Sequence, residues 1–311
     1  MKKQSNCVIL DANAFVHKAY HGYNEMLDRD SNDNRVLYGL MHVIQDLPNY
    51  IDNIEYLFVI FDPVDSLNYR KSIYPAYKEN RPETIPELDK QREVAKKEIK
   101  DLGIPIINFQ GYEADDIIAS VANFYKTRTS VVVVSPDKDL FQMVGPNVEV
   151  LRPYKKDGQK GYEIITEVGV EKYFGVKPSQ IPDLLALMGD ITDNLPGVDK
   201  MGLKTSAKML NKYNTIENMI LMKDELPEKI KASFIDSIVS LPKIKHLATV
   251  IDNLKVESHI ENSLQHAIKV QSHIGYNQKL LEYQKFYNWP DNFIALLKND
   301  SLESIPQKNK I

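Results

Sequence analysis

Three short apolar runs stop on aspartates, and that repetition restricts the fold more than any other feature of the chain. Cys7-Val8-Ile9-Leu10 runs into Asp11, Leu57-Phe58-Val59-Ile60-Phe61 into Asp62, and Val131-Val132-Val133-Val134 into Ser135-Pro136-Asp137. Apolar runs without alternation read as strands covered on both faces, the habit of a parallel sheet. A further strand is predicted near 104–107, and helical patterns fill 36–50, 86–102 and 114–125. Such βαβ alternation builds an open α/β sheet, whose ligands bind beyond the carboxyl ends of the strands. The three aspartates lie there by construction, so strands far apart in sequence deliver carboxylates to one crevice.

More acids follow the same logic. Glu113 and Asp116 stand three apart and share a helix face, with Asp115 in the same first turn. At a helix N-terminus such acids also have an ordinary dipole-complementing role. Asp190 and Asp193 repeat the spacing at the end of an apolar helix, where the macrodipole opposes them and capping offers no reason for their presence. Asp139 follows Asp137 closely enough to face the same space. Converging carboxylates repel and need cations. Hard oxygen donors without His or Cys point to Mg²⁺, with Mn²⁺ as a substitute. Two such ions at ~3.5–4 Å would clamp a phosphodiester. The formal charge of −4 includes these nine acids; without them the chain stands at +5, so its acidity does not exclude a polyanionic substrate.

Between the second strand and residue 100 lies a long segment with Arg70, Lys71, Lys78 and Arg81 interleaved with Tyr69, Tyr74 and Tyr77, broken by Pro75, Pro82 and Pro86. A connection this long in a compact domain is functional or disordered, and the tyrosines argue for contact. From Thr166, an N-cap candidate, helices take over: one to Phe174-Gly175, another from Pro178-Ser179 through Met188, then a turn and helix at 197–213, and more to about Leu297 before a polar tail from Ser301. Gly197 and Gly202 suit close approach of backbone to phosphates, with Lys204, Thr205 and Lys208 beside helix N-terminal amides. The single cysteine, Cys7, excludes disulfides, and no apolar run reaches the ~20 residues of a membrane span. A cytoplasmic protein without membrane contact is expected.

Five stretches in order, "ILDANAFVHKAYHG", "VIFDPVDSLNYRKSIYPAYKENRP", "GYEADDIIA", "VVVVSPDKDLFQMV" and "LALMGDITDNLPGVDKMGLKTSAKML", resemble the 5′-nuclease family of 5′→3′ exonucleases and flap endonucleases. The likeness is to the N-terminal nuclease domain of bacterial DNA polymerase I and its stand-alone relatives. It implies an α/β fold: a Rossmann-like, PIN-type parallel sheet with flanking helices and a helical arch, then an α-helical helix-three-turn-helix domain. The core would span 1–165 with the arch at about 66–100, and the helical part 166–311 with its DNA-binding module at about 184–212. The resemblance implies one metal near Asp11, Asp62, Glu113, Asp115 and Asp116, and a second near Asp137, Asp139, Asp190 and Asp193. Asp11, Asp62, Asp115 and Asp137 would act directly in catalysis with Lys78. Tyr77, Lys78 and Arg81 match arch residues that handle the single strand, tyrosine stacking on bases and basic side chains following the backbone. Arg70 and Lys18 join the DNA-binding set, and a K⁺ ion is implied at the carbonyls of Val198 and Met201. The expected partner is DNA with a 5′ flap, branch or nick, RNA primer ends being left open, and the expected state a monomer. Lys18 stands where arginine is usual, Lys200 and Ala12 where glycine is usual, and Pro136 where a small residue is usual. Two alternatives remain: a relative that binds branched DNA without cutting, and a haloacid dehalogenase-type phosphatase, which would need an acid where Asn13 stands.

Overall fold

Six strands form one sheet in the computed structural model, which describes residues 3–4, 7–22, 33–83, 85–156, 158–287 and 289–298. They are β1 Cys7–Asp11, β2 Tyr56–Ile60, β3 Ile106–Ile107, β4 Val131–Val134, β5 Val148–Lys156 and β6 Gln159–Ile165. Their order is β3-β2-β1-β4-β5-β6, parallel except where β5 meets β6. The chain builds outward from β1 to β2 and β3, then returns to the other side of β1 for β4. The topological switch therefore lies between β1 and β4, where an open α/β sheet leaves a crevice. Register brings the aspartates to it. Asp11 pairs with Ile60 and Leu10 with Val134, so Asp62 and Asp137 emerge just past those pairs on the same edge.

The first helices are α1 Ala12–Gly22, α2 Arg35–Tyr50, α3 Asn68–Ile73, α4 Pro86–Asp101 and α5 Ala114–Tyr125. On one face of the sheet, Val8, Leu10, Val59, Val132 and Val134 pack with α1, α2 and α4. On the other, Cys7, Ile9, Phe58, Ile60, Val131 and Val133 pack with α5 and with helices beyond Thr166. Burial on both sides explains why the strands lack polar alternation. The second cluster continues as far as Ala267, so secondary structure changes near residue 165 while packing does not break.

Three helices lead from the sheet into the helical part: α6 Glu167–Phe174, α7 Ile181–Met188 and α8 Leu203–Tyr213. Thr166 caps α6 by accepting from the Gly169 amide (3.4 Å), and Gly175 ends it at φ +71°. The last helices, Glu257–Gln271, Tyr276–Tyr287 and Asp291–Leu297, fold back over the sheet. Tyr276, Leu280 and Phe293 join the α2–α4 layer, and the Tyr276 hydroxyl reaches the carbonyls of Leu102 (2.9 Å) and Leu297 (3.0 Å).

Three expectations need adjustment. The strand predicted at 104–107 is confined to Ile106–Ile107, because Pro105 has no amide to donate and contributes its carbonyl to Val59 alone (2.9 Å). The hairpin β5–β6 has no counterpart in the expected element order; its Lys and Arg residues mask the strand pattern. The basic segment is no open loop, since it contains α3 and a run of tight turns before α4. The tail from Ser301 lies outside the described residues. Among the described residues no helix is long and apolar enough to cross a membrane.

Candidate active site

Four carboxylates gather at the switch point, three of them held by hydrogen bonds. Asp11 closes β1, is 3% exposed, and accepts from Ser135 Oγ (2.6 Å) and the Ala14 amide (3.2 Å). Asp62 follows β2 and accepts from the Ala114 amide (2.7 Å) and from Asn13 Nδ2. Asp137 follows β4; its own amide donates to Ser135 Oγ (2.9 Å), and its Oδ1 caps the Asp139 amide (2.9 Å). Asp115 enters from the first turn of α5. Burial pushes Asp11 up to about 7, and the nearby Asp137 and Asp62 charges add to the rise. Asp115 is raised by burial and by Asp137 and Asp11, and Asp62 by burial and Glu113. These groups are close enough to resist ionising together.

A second group hangs on the turn after α7. Asp190 Oδ1 accepts from the amides of Thr192 (2.8 Å) and Asp193 (3.4 Å), while its Oδ2 meets Lys138 Nζ at 2.6 Å. Asp193 Oδ1 takes Arg81 Nη2 (2.8 Å), and its Oδ2 takes the Tyr77 hydroxyl (2.8 Å). Asp139 Oδ1 is buried without a hydrogen-bond partner, 3.5 Å from Lys138 Nζ. Burial and Asp137 push Asp139 up to about 7. Asp190 moves the other way, because Lys138 and the turn amides outweigh its burial.

Four basic side chains, Arg70, Lys78, Arg81 and Lys138, pair with five of the nine acids, Glu113, Asp116, Asp139, Asp190 and Asp193, leaving the nine with a formal excess of five negative charges. Two divalent cations would reduce that excess to one. No three His, Cys, Asp or Glu side chains converge on one ligating point among the described residues. Lys78 instead stands between Glu113 and Asp193, and Lys138 between Asp139 and Asp190. The donors nevertheless fit a hard divalent cation: all are carboxylates, one oxygen accepts no hydrogen bond, and burial together with mutual repulsion opposes their ionisation, a cost that a cation would relieve.

Arg70, Asp116 and Tyr77 are committed to internal partners, and Glu113, whose charge bears on Asp62 and Asp115, is committed to basic neighbours. Arg70 is 4% exposed and its donors are all committed: Nη1 to Glu113 (2.9 Å) and Asp116 (2.6 Å), Nη2 to Asp116 (2.7 Å) and the Thr249 carbonyl, Nε to the Leu247 carbonyl (3.0 Å). It cannot hold a DNA phosphate from there. Asp116 is fully buried, with both oxygens bound to Arg70 and to the amides of Ile251 and Glu113. Both of its oxygens are saturated by these partners, so it serves the fold as a buried anion. Tyr77 is 2% exposed and offers no ring face to a base; its hydroxyl sits between Asp193 and Glu113 (2.8 and 3.0 Å). Glu113 caps α5 and receives Arg70, Lys78 and the Tyr77 hydroxyl, so it orders two cations and a neutral donor around the site. Lys78 stays at the site, its Nζ on Glu113 and 3.6 Å from Asp193. Its backbone lies at φ +54°, held by its amide on the Asp193 carbonyl (3.1 Å). A non-glycine residue in that region costs energy that the surroundings must offset, as happens at functional sites.

The turn between α7 and α8 separates the two glycines. A Cβ on Gly197 would stand 2.4 Å from the Met188 carbonyl carbon and 2.5 Å from the Gly189 amide, so this glycine serves internal backbone packing rather than phosphate approach. Gly202 caps α8 with open space around it. Lys204 and Lys208 are exposed on α8 and Thr205 is half-buried; Lys18 is exposed on α1. Lys200 sits at φ +66°, the conformation that a glycine adopts freely. The carbonyls of Val198 and Met201 accept from the Met201 amide (3.1 Å) and Ser206 Oγ (2.9 Å), leaving each a second lone pair. Pro136 and Ala12 displace no carboxylate.

Sequence reasoning passed over Asn13 and Ser135, which aim Asp62 and Asp11, and Lys138. The signal for Lys138 was its place between Asp137 and Asp139. The raised acids also imply a pH dependence with a definite sign. Asp11 and Asp139 ionise from 3.8 when unfolded and about 7 when folded. Between those values the fold holds protons that the unfolded chain has shed, so stability falls as pH rises. In EDTA, melting is expected at a lower temperature at about pH 8 than at about pH 5.5, with Mg²⁺ restoring more at the higher pH. Equal melting temperatures in EDTA would contradict it.

Residues 6–175 match the family model for the N-terminal resolvase-like domain of 5′-3′ exonucleases, and residues 176–271 that for their C-terminal SAM fold. A 5′-3′ exonuclease of Aquifex aeolicus is 37% identical over 213 residues, covering 68% of this chain and 71% of the relative. A DNA polymerase I of Caldicellulosiruptor bescii is 32% identical over 265 residues; the match covers 82% of this chain and 30% of the polymerase. Bacteriophage T5 flap endonuclease, solved with DNA and metal ions, has a similar fold, with TM-score 0.63 at 19% identity over 96% of this chain and 100% of the other.

Proposed function

This chain belongs to the 5′-3′ exonuclease family, and from that premise we propose that it hydrolyses phosphodiester bonds in DNA carrying a free 5′ end, with Mg²⁺ as its working cation and Mn²⁺ as a substitute. Its substrates are 5′ flaps and branched or nicked duplexes, cut near the junction, and it acts as a monomer in the cytoplasm. The observation that carries this reading is the meeting of Asp11, Asp62, Asp115 and Asp137 at the switch point, where burial and repulsion raise three of them. The presence of DNA and metal ions with the T5 endonuclease of similar fold supports the same substrate class. The family match sets the phosphatase alternative aside.

Asp11, Asp62, Asp115 and Asp137 would hold one cation, and Asp139, Asp190 and Asp193 a second. Bound divalent ions supply Lewis-acid stabilisation of phosphoryl charge and a water more easily deprotonated. The chain's own residues do the rest. Asn13, Ser135 and the Ala114 amide keep the carboxylates aimed, so little reorganisation is needed during reaction. Lys78, released from Glu113 by the approach of a phosphate, can donate to its oxygens. Arg81, with its side chain 46% exposed beside Asp193, can follow the single strand. Residues 1–165 act as the nuclease core and 166–311 as the duplex-holding part. There the α8 amides, Gly202, Lys204, Thr205 and Lys208 grip one strand through phosphates without reading bases, and Lys18 adds a point charge. We assign K⁺ to the free lone pairs of Val198 and Met201.

A 5′-labelled flap duplex incubated with Mg²⁺ or with EDTA tests the proposal. Release of the flap near the junction in Mg²⁺ and none in EDTA is expected. Tight binding with the strand intact in both Mg²⁺ and Mn²⁺ would instead identify a branched-DNA-binding relative.

A further inference from the structure

We propose that Lys138 is the resident counter-ion of the second carboxylate group and sets its affinity for divalent cations by occupying their place. The inference rests on the metal-dependent reading above. Lys138 Nζ lies 2.6 Å from Asp190 Oδ2 and 3.5 Å from Asp139 Oδ1. The remaining Asp190 oxygen is tied to turn amides, so the Asp190 oxygen left for a cation is the one that the ammonium faces. Asp139 Oδ1 is buried and accepts no hydrogen bond, so the ammonium faces it as an ion-pair partner alone.

Lys138 differs from Lys78 in a way that fits this role. The Lys78 side chain is 5% exposed and wedged between Glu113 and Asp193, whereas that of Lys138 is 35% exposed at the rim. A lysine at the rim can swing into water and regain hydration of its ammonium, so displacement costs little. An ammonium and a divalent ion cannot both contact Asp190 Oδ2 without strong repulsion. Lys138 thus keeps Asp139 and Asp190 together while the group is empty of metal and weakens metal binding there. The switch-point carboxylates, with which Lys138 forms no ion pair among the described residues, would load first.

Binding of Mn²⁺ to the full chain, followed by isothermal titration calorimetry, tests this together with melting in EDTA. Lys138→Met should tighten the weaker Mn²⁺ site by ~10-fold or more, the scale of losing one charge-assisted hydrogen bond. It should also melt at a lower temperature in EDTA and gain more from added Mn²⁺ than the parent. Lys138→Gln, which keeps a donor for Asp190 without the charge, should tighten the site as well, while Lys138→Arg should behave as the parent. Unchanged or weaker Mn²⁺ affinity in both uncharged variants would overturn the assignment. A parent protein that binds no Mn²⁺ would overturn the metal reading beneath it.

Discussion

Asp137→Asn is expected to lower flap cleavage by about 10³-fold, while DNA affinity measured in EDTA stays within ~3-fold of the parent. The substitution removes a charge and little else. Asp137 Oδ1 accepts the Asp139 amide at 2.9 Å, and asparagine keeps an acceptor there, so the turn after β4 should survive. The lost carboxylate lies against Asp11 and Asp115, where its charge helps to raise both. Removing it should raise the melting temperature in EDTA, since repulsion falls, and should weaken cation binding at the switch point. A bound metal is worth several kcal/mol of transition-state charge, and each ~1.4 kcal/mol is tenfold in rate, hence the three decades. Asp116→Asn is the informative control, because Asp116 is sealed against Arg70 and should lose stability before chemistry. Parallel loss of cleavage and binding in Asp137→Asn would remove Asp137 from the chemistry.

Different physical causes divide what the sequence discloses from what it hides. β1, β2 and β4 are legible because strands buried on both faces must be apolar throughout, and the acids at their ends can only emerge at one edge. The bounds of α5 are legible because its first turn carries its own capping chemistry. Asp115 and Asp116 are adjacent in the same acidic turn, however, and only their surroundings separate a site carboxylate from a structural one. Arg70 and Tyr77 looked like a nucleic-acid surface, because basic and aromatic residues interleaved in a polar segment have that composition. Their burial depends on partners distant in sequence, including carbonyls 177 and 179 residues away at Leu247 and Thr249. Gly197 suggests close phosphate approach by its type, whereas its reason is a backbone crossing at Met188 and Gly189. Lys138 lay between the acids it neutralises, and no periodicity distinguishes a lysine at a site from one in solvent.

Arg70→Met should destabilise the fold by about 3–5 kcal/mol, the cost of leaving a buried anion without its partner. Asp116 is fully buried and Glu113 is 4% exposed, so neither can recruit water in place of the guanidinium. The loss spreads beyond the pair. Arg70 also holds the Leu247 and Thr249 carbonyls, and Asp116 the Ile251 amide, so this network fastens the segment after residue 246 to the core. Denaturant unfolding would show the loss as a lower midpoint. Pairing Arg70→Met with Asp116→Leu should recover part of it, because it removes the uncompensated buried charge while the Leu247 and Thr249 carbonyls and the Ile251 amide stay unpaired. The same experiment separates this role from the DNA contact that the sequence suggests. An arginine on a phosphate would leave the unfolding midpoint unchanged and lower the salt dependence of DNA binding by about one ion. An unfolding loss below ~1 kcal/mol, combined with a shallower salt dependence, would return Arg70 to the DNA-binding surface.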